Sequence, residues 1–148
     1  MNYIKTALAA LGAWLAVSLG IYAPWMIILV AAIVLDYITG MTAAAYTGEL
    51  NSRKGIRGIL KKLGYLALVG LGFMIDWVVA AGVAQFGWSA YPEGIIALAV
   101  IAWIIINEAL SIVENLGRLE VPIPKFLKKV VKSLHSGLDN MDGGDTHE

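Results

Sequence analysis

Between Lys5 and Glu49 lie 43 residues with a single charge, Asp36, and the first 30 of them, Thr6 to Leu35, carry none. About 18 consecutive apolar residues already suffice for a membrane-spanning helix. As one helix the stretch would extend about 64 Å, roughly twice the hydrocarbon core of a bilayer. It must therefore bend back or leave the membrane. The breaking point is Gly20-Ile21-Tyr22-Ala23-Pro24, where glycine loosens the helix and proline removes a donor and pushes Ala23 out of helical geometry. This predicts a first helix over 3–19 and a second over 25–47.

A second apolar stretch, Leu63 to Pro92, is interrupted only by Asp76, and Gly87-Trp88-Ser89-Ala90-Tyr91-Pro92 reads as its closing turn. The third helix is expected over 63–86. Gly94 to Val113 adds 20 residues whose only charge is Glu108, giving a fourth over 94–113. At 59% hydrophobic and 15% charged, with a mean hydropathy of +0.74, the chain is too apolar for an ordinary soluble domain. The expected fold is an all-α integral membrane protein with four, alternatively three, transmembrane helices. Residues 1–118 form the membrane domain, 119–138 a Pro-x-Pro stop with an interfacial amphipathic helix, and 139–148 a disordered acidic tail.

Lys and Arg gather on the cytoplasmic side of inner-membrane proteins. Four spans with both termini in the cytoplasm place all eleven basic residues inside. Three spans, with one long tilted helix, would leave only Lys5 outside. A cleaved leader is disfavoured because Ile21-Tyr22-Ala23 lacks the small-x-small pattern and apolar sequence continues beyond it.

Acidic and basic residues balance, eleven of each, so charge gives no reason to propose a nucleic-acid partner. The absence of cysteine excludes disulfides, thiolate metal sites and cysteine nucleophiles. Both histidines, His135 and His147, lie in the C-terminal tail. No catalytic residue, cofactor or metal site is expected, and a soluble enzyme is the weakest starting assumption.

The polar residues inside the spans carry the information. Asp36 and Asp76 fall near the middle of the second and third helices, each a dozen or more residues from a basic side chain in sequence. An ionised Asp at a helix centre costs on the order of 2.5 to 3.5 kcal/mol on insertion scales. Protonation, contact with water, or pairing with a hydroxyl such as Thr39 would offset that; both acids are candidates for gating or triggering, against the plainer reading of bonds between helices. Ala32, Asp36, Gly40, Ala44 and Gly48 recur every four residues, and Gly64, Gly72, Asp76 and Ala80 repeat the idea. Such small-residue faces let helices pack closely, within the chain or between copies.

On the fourth helix Asn107, Glu108, Ser111, Glu114, Asn115 and Arg118 form a polar stripe. Glu114 and Arg118 have the spacing of an ion pair, and the deeper three suit inter-helix hydrogen bonds or a wet surface. After Val121-Pro122-Ile123-Pro124, the apolar Phe126, Leu127, Val130, Val131, Leu134 and Leu138 alternate with Lys125, Lys128, Lys129 and Lys132. That is the pattern of a basic amphipathic helix lying on an anionic inner leaflet, so membrane lipid is an expected partner.

LDYITGMTAAAYTGELNSRKGIRGILKKLGYLALV (Leu35 to Val69), FMIDWVV (Phe73 to Val79) and WIIINEALSIVENLGRLEVPIPKFLKK (Trp103 to Lys129) resemble the bacteriophage lysis and toxin-secretion holin family. The resemblance rests on Asp36 followed by Thr39-Gly40, the Gly48-Glu49-Leu50-Asn51-Ser52 turn before a basic stretch, Asp76 in the next span, and Asn107-Glu108-x-x-Ser111-x-x-Glu114-Asn115 ending near Pro122-x-Pro124. It covers about two thirds of the chain in consistent order. Residues 1–24 match only in character, and Glu120 stands where the family pattern has a small residue before Val-Pro.

This resemblance implies a bacterial inner-membrane protein that accumulates, self-associates and then opens lesions for a wall-degrading endolysin, or in related systems a toxin. Two other classes fit the composition. A small proton-coupled transporter would use Asp36 and Asp76 to bind protons and a cationic substrate, and a membrane scaffold would bind a soluble partner through the basic tail.

Overall fold

The structure is a computed structural model and describes residues 2–87 and 94–142. Every regular element among them is helical. Helix α1 (Asn2–Leu19) ends in a 3-10 turn at Gly20–Tyr22 and is followed by α2 (Ala23–Tyr46), α3 (Ser52–Gln85), α4 (Ile95–Arg118) and α5 (Lys125–Asp142).

The chain breaks where glycine and proline predict. Gly20 sits at φ 48°, and Pro24 falls in the first turn of α2, where its missing N–H is one that no helix satisfies. At the other end of α2, Gly48 takes φ 69°, and the Glu49 and Gly48 amides donate to the Ala44 and Ala45 carbonyls at 2.9 and 3.3 Å. This glycine-closed helix end satisfies two carbonyls that the helix leaves open.

Helix α3 begins at Ser52 rather than Leu63, so the basic stretch expected as a loop is helical. Its start is fixed by Asn51, whose side-chain oxygen accepts from the Arg53 amide at 2.9 Å. With 34 residues, α3 runs about 51 Å, longer than the hydrocarbon core.

Helix α4 closes in the same way as α2, with the Val121 and Glu120 amides donating to Leu116 and Gly117 at 3.1 Å each. The left-handed position is occupied by Glu120, φ 59°, which explains why a small residue belongs there. The glutamate keeps the geometry and bears the steric cost, on the order of 1 kcal/mol. Helix α5 extends to Asp142, so the expected tail is helical over 139–142; residues 143–148 lie outside the described residues.

Among the described residues three helical segments are long and apolar enough to cross a membrane: Gly20–Tyr46, Gly55–Gln85 and Ile95–Arg118. The expected fourth span, α1, is not among them. At 18 residues it is about 27 Å of helix, at the lower limit for crossing the ~30 Å core.

Helix α4 is the centre of the bundle. It packs against α2 on one side and α3 on the other, while α2 and α3 touch each other sparsely. Leu29, Tyr65, Val69, Ile101 and Ile104 form the buried core, backed by Met26, Ile33, Phe73, Val100 and Ile105. Gly72 gives α3 its closest approach, because a Cβ there would come within 3.0 Å of the Ala97 Cα on α4. At one end Tyr22 packs edge-on to Phe73, ring centroids 4.7 Å apart, and its ring fills the space a side chain at Gly94 would need. The outward surface is apolar, with Ile27, Met74 and Trp77 among its most exposed side chains. Such a surface requires lipid around it.

Candidate functional site

Asp36, Lys62 and Glu108 each lie ten residues, about 15 Å, inside the same end of the bundle, measured from Tyr46, Ser52 and Arg118. Three different helices thus bring them to one level. The Lys62 ammonium donates to Asp36 Oδ2 at 2.8 Å and also to Glu108 Oε2. Asn115 adds a bond from Nδ2 to Asp36 Oδ1 at 3.1 Å and reaches Thr39 Oγ1 at 3.4 Å. The Glu108 side chain is 3% exposed, and those of Lys62 and Asp36 14% and 15%.

The expected uncompensated Asp36 is therefore paired. The hydroxyl of Thr39 meets backbone and not the Asp36 carboxylate, donating to the Leu35 and Asp36 carbonyls at 2.9 and 3.1 Å. Lys62 lies 26 residues away in sequence, just before the expected start of the third helix at residue 63. The signal available was Asn51, a helix-capping residue directly before the basic stretch.

Asp76 serves a different purpose. Its Oδ1 and Oδ2 accept from the amides of Ile96 and Ala97 at 3.1 and 2.7 Å, so an acid of α3 caps the N-terminus of α4. Those amides have no partner within their own helix, and the helix dipole favours negative charge there. Gly94, at φ 77°, offers no side chain of its own for the purpose.

The polar stripe of α4 divides. Glu108 and Asn115 point into the ion cluster, whereas Asn107 donates to the Trp103 carbonyl of its own helix at 3.0 Å. Ser111 is half-buried and Glu114 exposed. Arg118 does not pair with Glu114. Its guanidinium donates to Glu49 Oε2 at 2.8 Å and Thr47 Oγ1 at 3.2 Å, tying the end of α4 to the turn after α2.

The small-residue face also divides. A four-residue repeat drifts about 40° per step around a helix with 3.6 residues per turn. The buried residues of α2 are accordingly Leu29 and Ala43, while Ala32, Gly40 and Ala44 are half-buried and Gly48 is exposed beyond the helix. A Cβ at Gly40 would sit 3.4 Å from Asn115 Nδ2; Gly40 and Gly72 thus both serve packing within the chain. On α5, Val131 is buried, while Phe126, Leu127, Val130 and Leu134 remain exposed, as do Lys125, Lys128, Lys129 and Lys132. The side chain of Leu138, and His147, lie outside the described set. Among the described residues no group of three or more His, Cys, Asp or Glu could hold a metal ion.

Between α2 and α3, a cavity of about 520 Å³ runs from the Glu49–Ser52 turn to Asp36 and Lys62. Its walls include Met41, Ile56 and Ile59, and Asn115 and Arg118 of α4 border it.

Fold and site define a class: small helical membrane proteins with an apolar exterior and an ion cluster joining the spans at mid-depth. The chain belongs to the bacteriophage holin family, whose sequence model matches residues 13–136. It is 38% identical over 117 residues to an uncharacterized protein of Halalkalibacterium halodurans, covering 77% of this chain and 82% of that one. An uncharacterized 14.9 kDa protein from the nagH 3' region of Clostridium perfringens is 33% identical over 136 residues, 92% of this chain and 96% of the relative. A probable holin of Bacillus phage phi105 is 28% identical over 106 residues, 72% and 70% of the two chains. No solved structure matches the chain.

Proposed function

We propose that the chain is a holin of the bacterial inner membrane, which self-associates and opens lesions that pass a phage endolysin, or in related systems a toxin, and so trigger lysis. Membership of the holin family over residues 13–136 is the observation that carries this reading. The fold supports it with three apolar helices whose acids Asp36, Asp76 and Glu108 are paired inside the chain, the state in which such a protein can accumulate without permeabilising its membrane.

In this reading the Asp36–Lys62–Glu108 cluster and the Asp76 cap hold the closed protomer. Opening exchanges those partners for water, making Asp36 and Asp76 the residues that set the trigger. Self-association uses the outward faces of the spans, since Gly40 and Gly72 already serve contacts with α4. The α2–α3 turn and the C-terminus face the cytoplasm. The exposed apolar residues and lysines of α5 favour its lying on the inner leaflet.

Controlled expression in a bacterium tests the reading. Abrupt growth arrest with release of a large cytosolic enzyme is the expected result. Continued growth without leakage, together with resistance to a cationic drug, would replace it with the transporter.

A further inference from the structure

We propose that the cavity between α2 and α3 is an aqueous vestibule that admits small hydrophilic solutes from the 47–51 turn to the Asp36–Lys62–Glu108 cluster, and that it ends there. The proposal rests on the cavity and its lining and is independent of the holin reading.

The cavity's 520 Å³ is many times the ~10–15 Å³ of probe-occupied volume that one water needs. It begins at Glu49–Ser52 and reaches Asp36 and Lys62, a descent of about 15 Å at helical rise. Glycines keep it open: Gly55 and Gly58 line α3, and a Cβ at either would meet nothing within 4 Å. Beneath the cluster the cavity gives way to the buried core of Leu29, Tyr65, Val69, Ile101 and Ile104, a dry plug. Among the lining residues Asp36 and Glu49 balance Lys62 and Arg118, so the cavity carries ionisable groups of both signs. Hydrocarbon in the same space would strip water from these charged groups, which a bilayer disfavours. Ionisable groups at mid-membrane ordinarily face a protein interior or a water-filled cavity, and this cluster does both.

The cysteine-free chain permits a direct test in inside-out and right-side-out membrane vesicles, with Arg53→Cys marking the side of the turn. Gly58→Cys and Tyr37→Cys place thiols on the two walls. Leu60→Cys and Ile38→Cys place them nearby on exposed faces outside the lining. A trimethylammonium-bearing methanethiosulfonate should modify both wall thiols from the Arg53 side only, and neither control. The sulfonate-bearing reagent should give the same one-sided pattern. Wall thiols that react with membrane-permeant N-ethylmaleimide but with neither charged reagent would put hydrocarbon, from lipid or from a second copy's helix, in the cavity and overturn the proposal. Modification from both sides would remove the plug.

Discussion

Lys62 of α3 reaches across to Asp36 of α2 at 2.8 Å, over an interval where the two helices otherwise barely meet. With its second bond, to Glu108 of α4, the same ammonium fastens all three spans. Replacing it with Met would leave two carboxylates facing each other at mid-depth. Breaking a buried pair by removing one partner costs about 3 to 5 kcal/mol. The neutral triple variant D36N/K62M/E108Q removes the stranded charges and should recover much of that loss. Unfolding in detergent measures both, and on the proposed function Lys62→Met and Asp36→Asn should each shift the time of lysis at matched protein level.

Gly72 and Gly70 form a matched pair on α3. A Cβ at Gly72 would meet the α4 backbone at 3.0 Å, whereas one at Gly70 meets nothing within 4 Å. Gly72→Ala should destabilise by about 1 to 3 kcal/mol through overpacking. Gly70→Ala should be neutral or stabilise by about 0.5 to 1 kcal/mol, the helix cost of glycine. Thermal unfolding of the two single variants in one detergent checks the contrast.

Asp76→Ala leaves the Ile96 and Ala97 amides without their acceptor and should cost about 1 to 3 kcal/mol. Asp76→Asn keeps one acceptor oxygen and loses the charge that favours a helix N-terminus, so it should fall between Ala and the original residue. Hydrogen exchange at the start of α4 should rise in the same order.

If α1 does not cross the membrane, a cysteine at Asn2 lies outside when the C-terminus is inside. An impermeant reagent should then label Asn2→Cys in intact cells. Protection until the cells are permeabilised would restore the four-span arrangement. Three spans leave Lys5 as the single basic exception to the inside rule.

Changing Lys125, Lys128, Lys129 and Lys132 to Gln should release α5 from anionic bilayers, since each lysine contributes roughly 1 kcal/mol near such a surface. Vesicles with and without anionic lipid, each at low and high salt, measure the effect. Binding of the original protein indifferent to both lipid charge and salt would remove the electrostatic anchor.

The helices were legible where one residue decides the outcome locally. Gly20 with Pro24 ended α1, and Pro122 with Pro124 separated α4 from α5. The spans' polar residues were also visible, because an acid among apolar neighbours is conspicuous whatever its partner. Partnership was not legible, since Lys62 joins Asp36 only through the relative placement of two helices, which periodicity does not encode. The role of Asp76 was hidden for another reason: its partners are backbone amides, and backbone donors leave no trace in a sequence. Which side of the small-residue repeat meets α4 was hidden in a third way, because a four-residue repeat drifts around the helix, and the fully buried position is Ala43.

The central place of α4 sets the order in which the molecule can be made. α4 is the last of the three spans to leave the ribosome, yet both earlier spans pack chiefly against it. Between Gln85 and Arg118 lie 32 residues, about 2 to 6 seconds of synthesis at about 5 to 20 residues per second. Through that interval α2 and α3 precede the helix that both pack against, and Asp76 precedes the amides that it caps. The contacts that hold Asp36, Lys62 and Asp76 in the finished bundle are thus completed only with the last span.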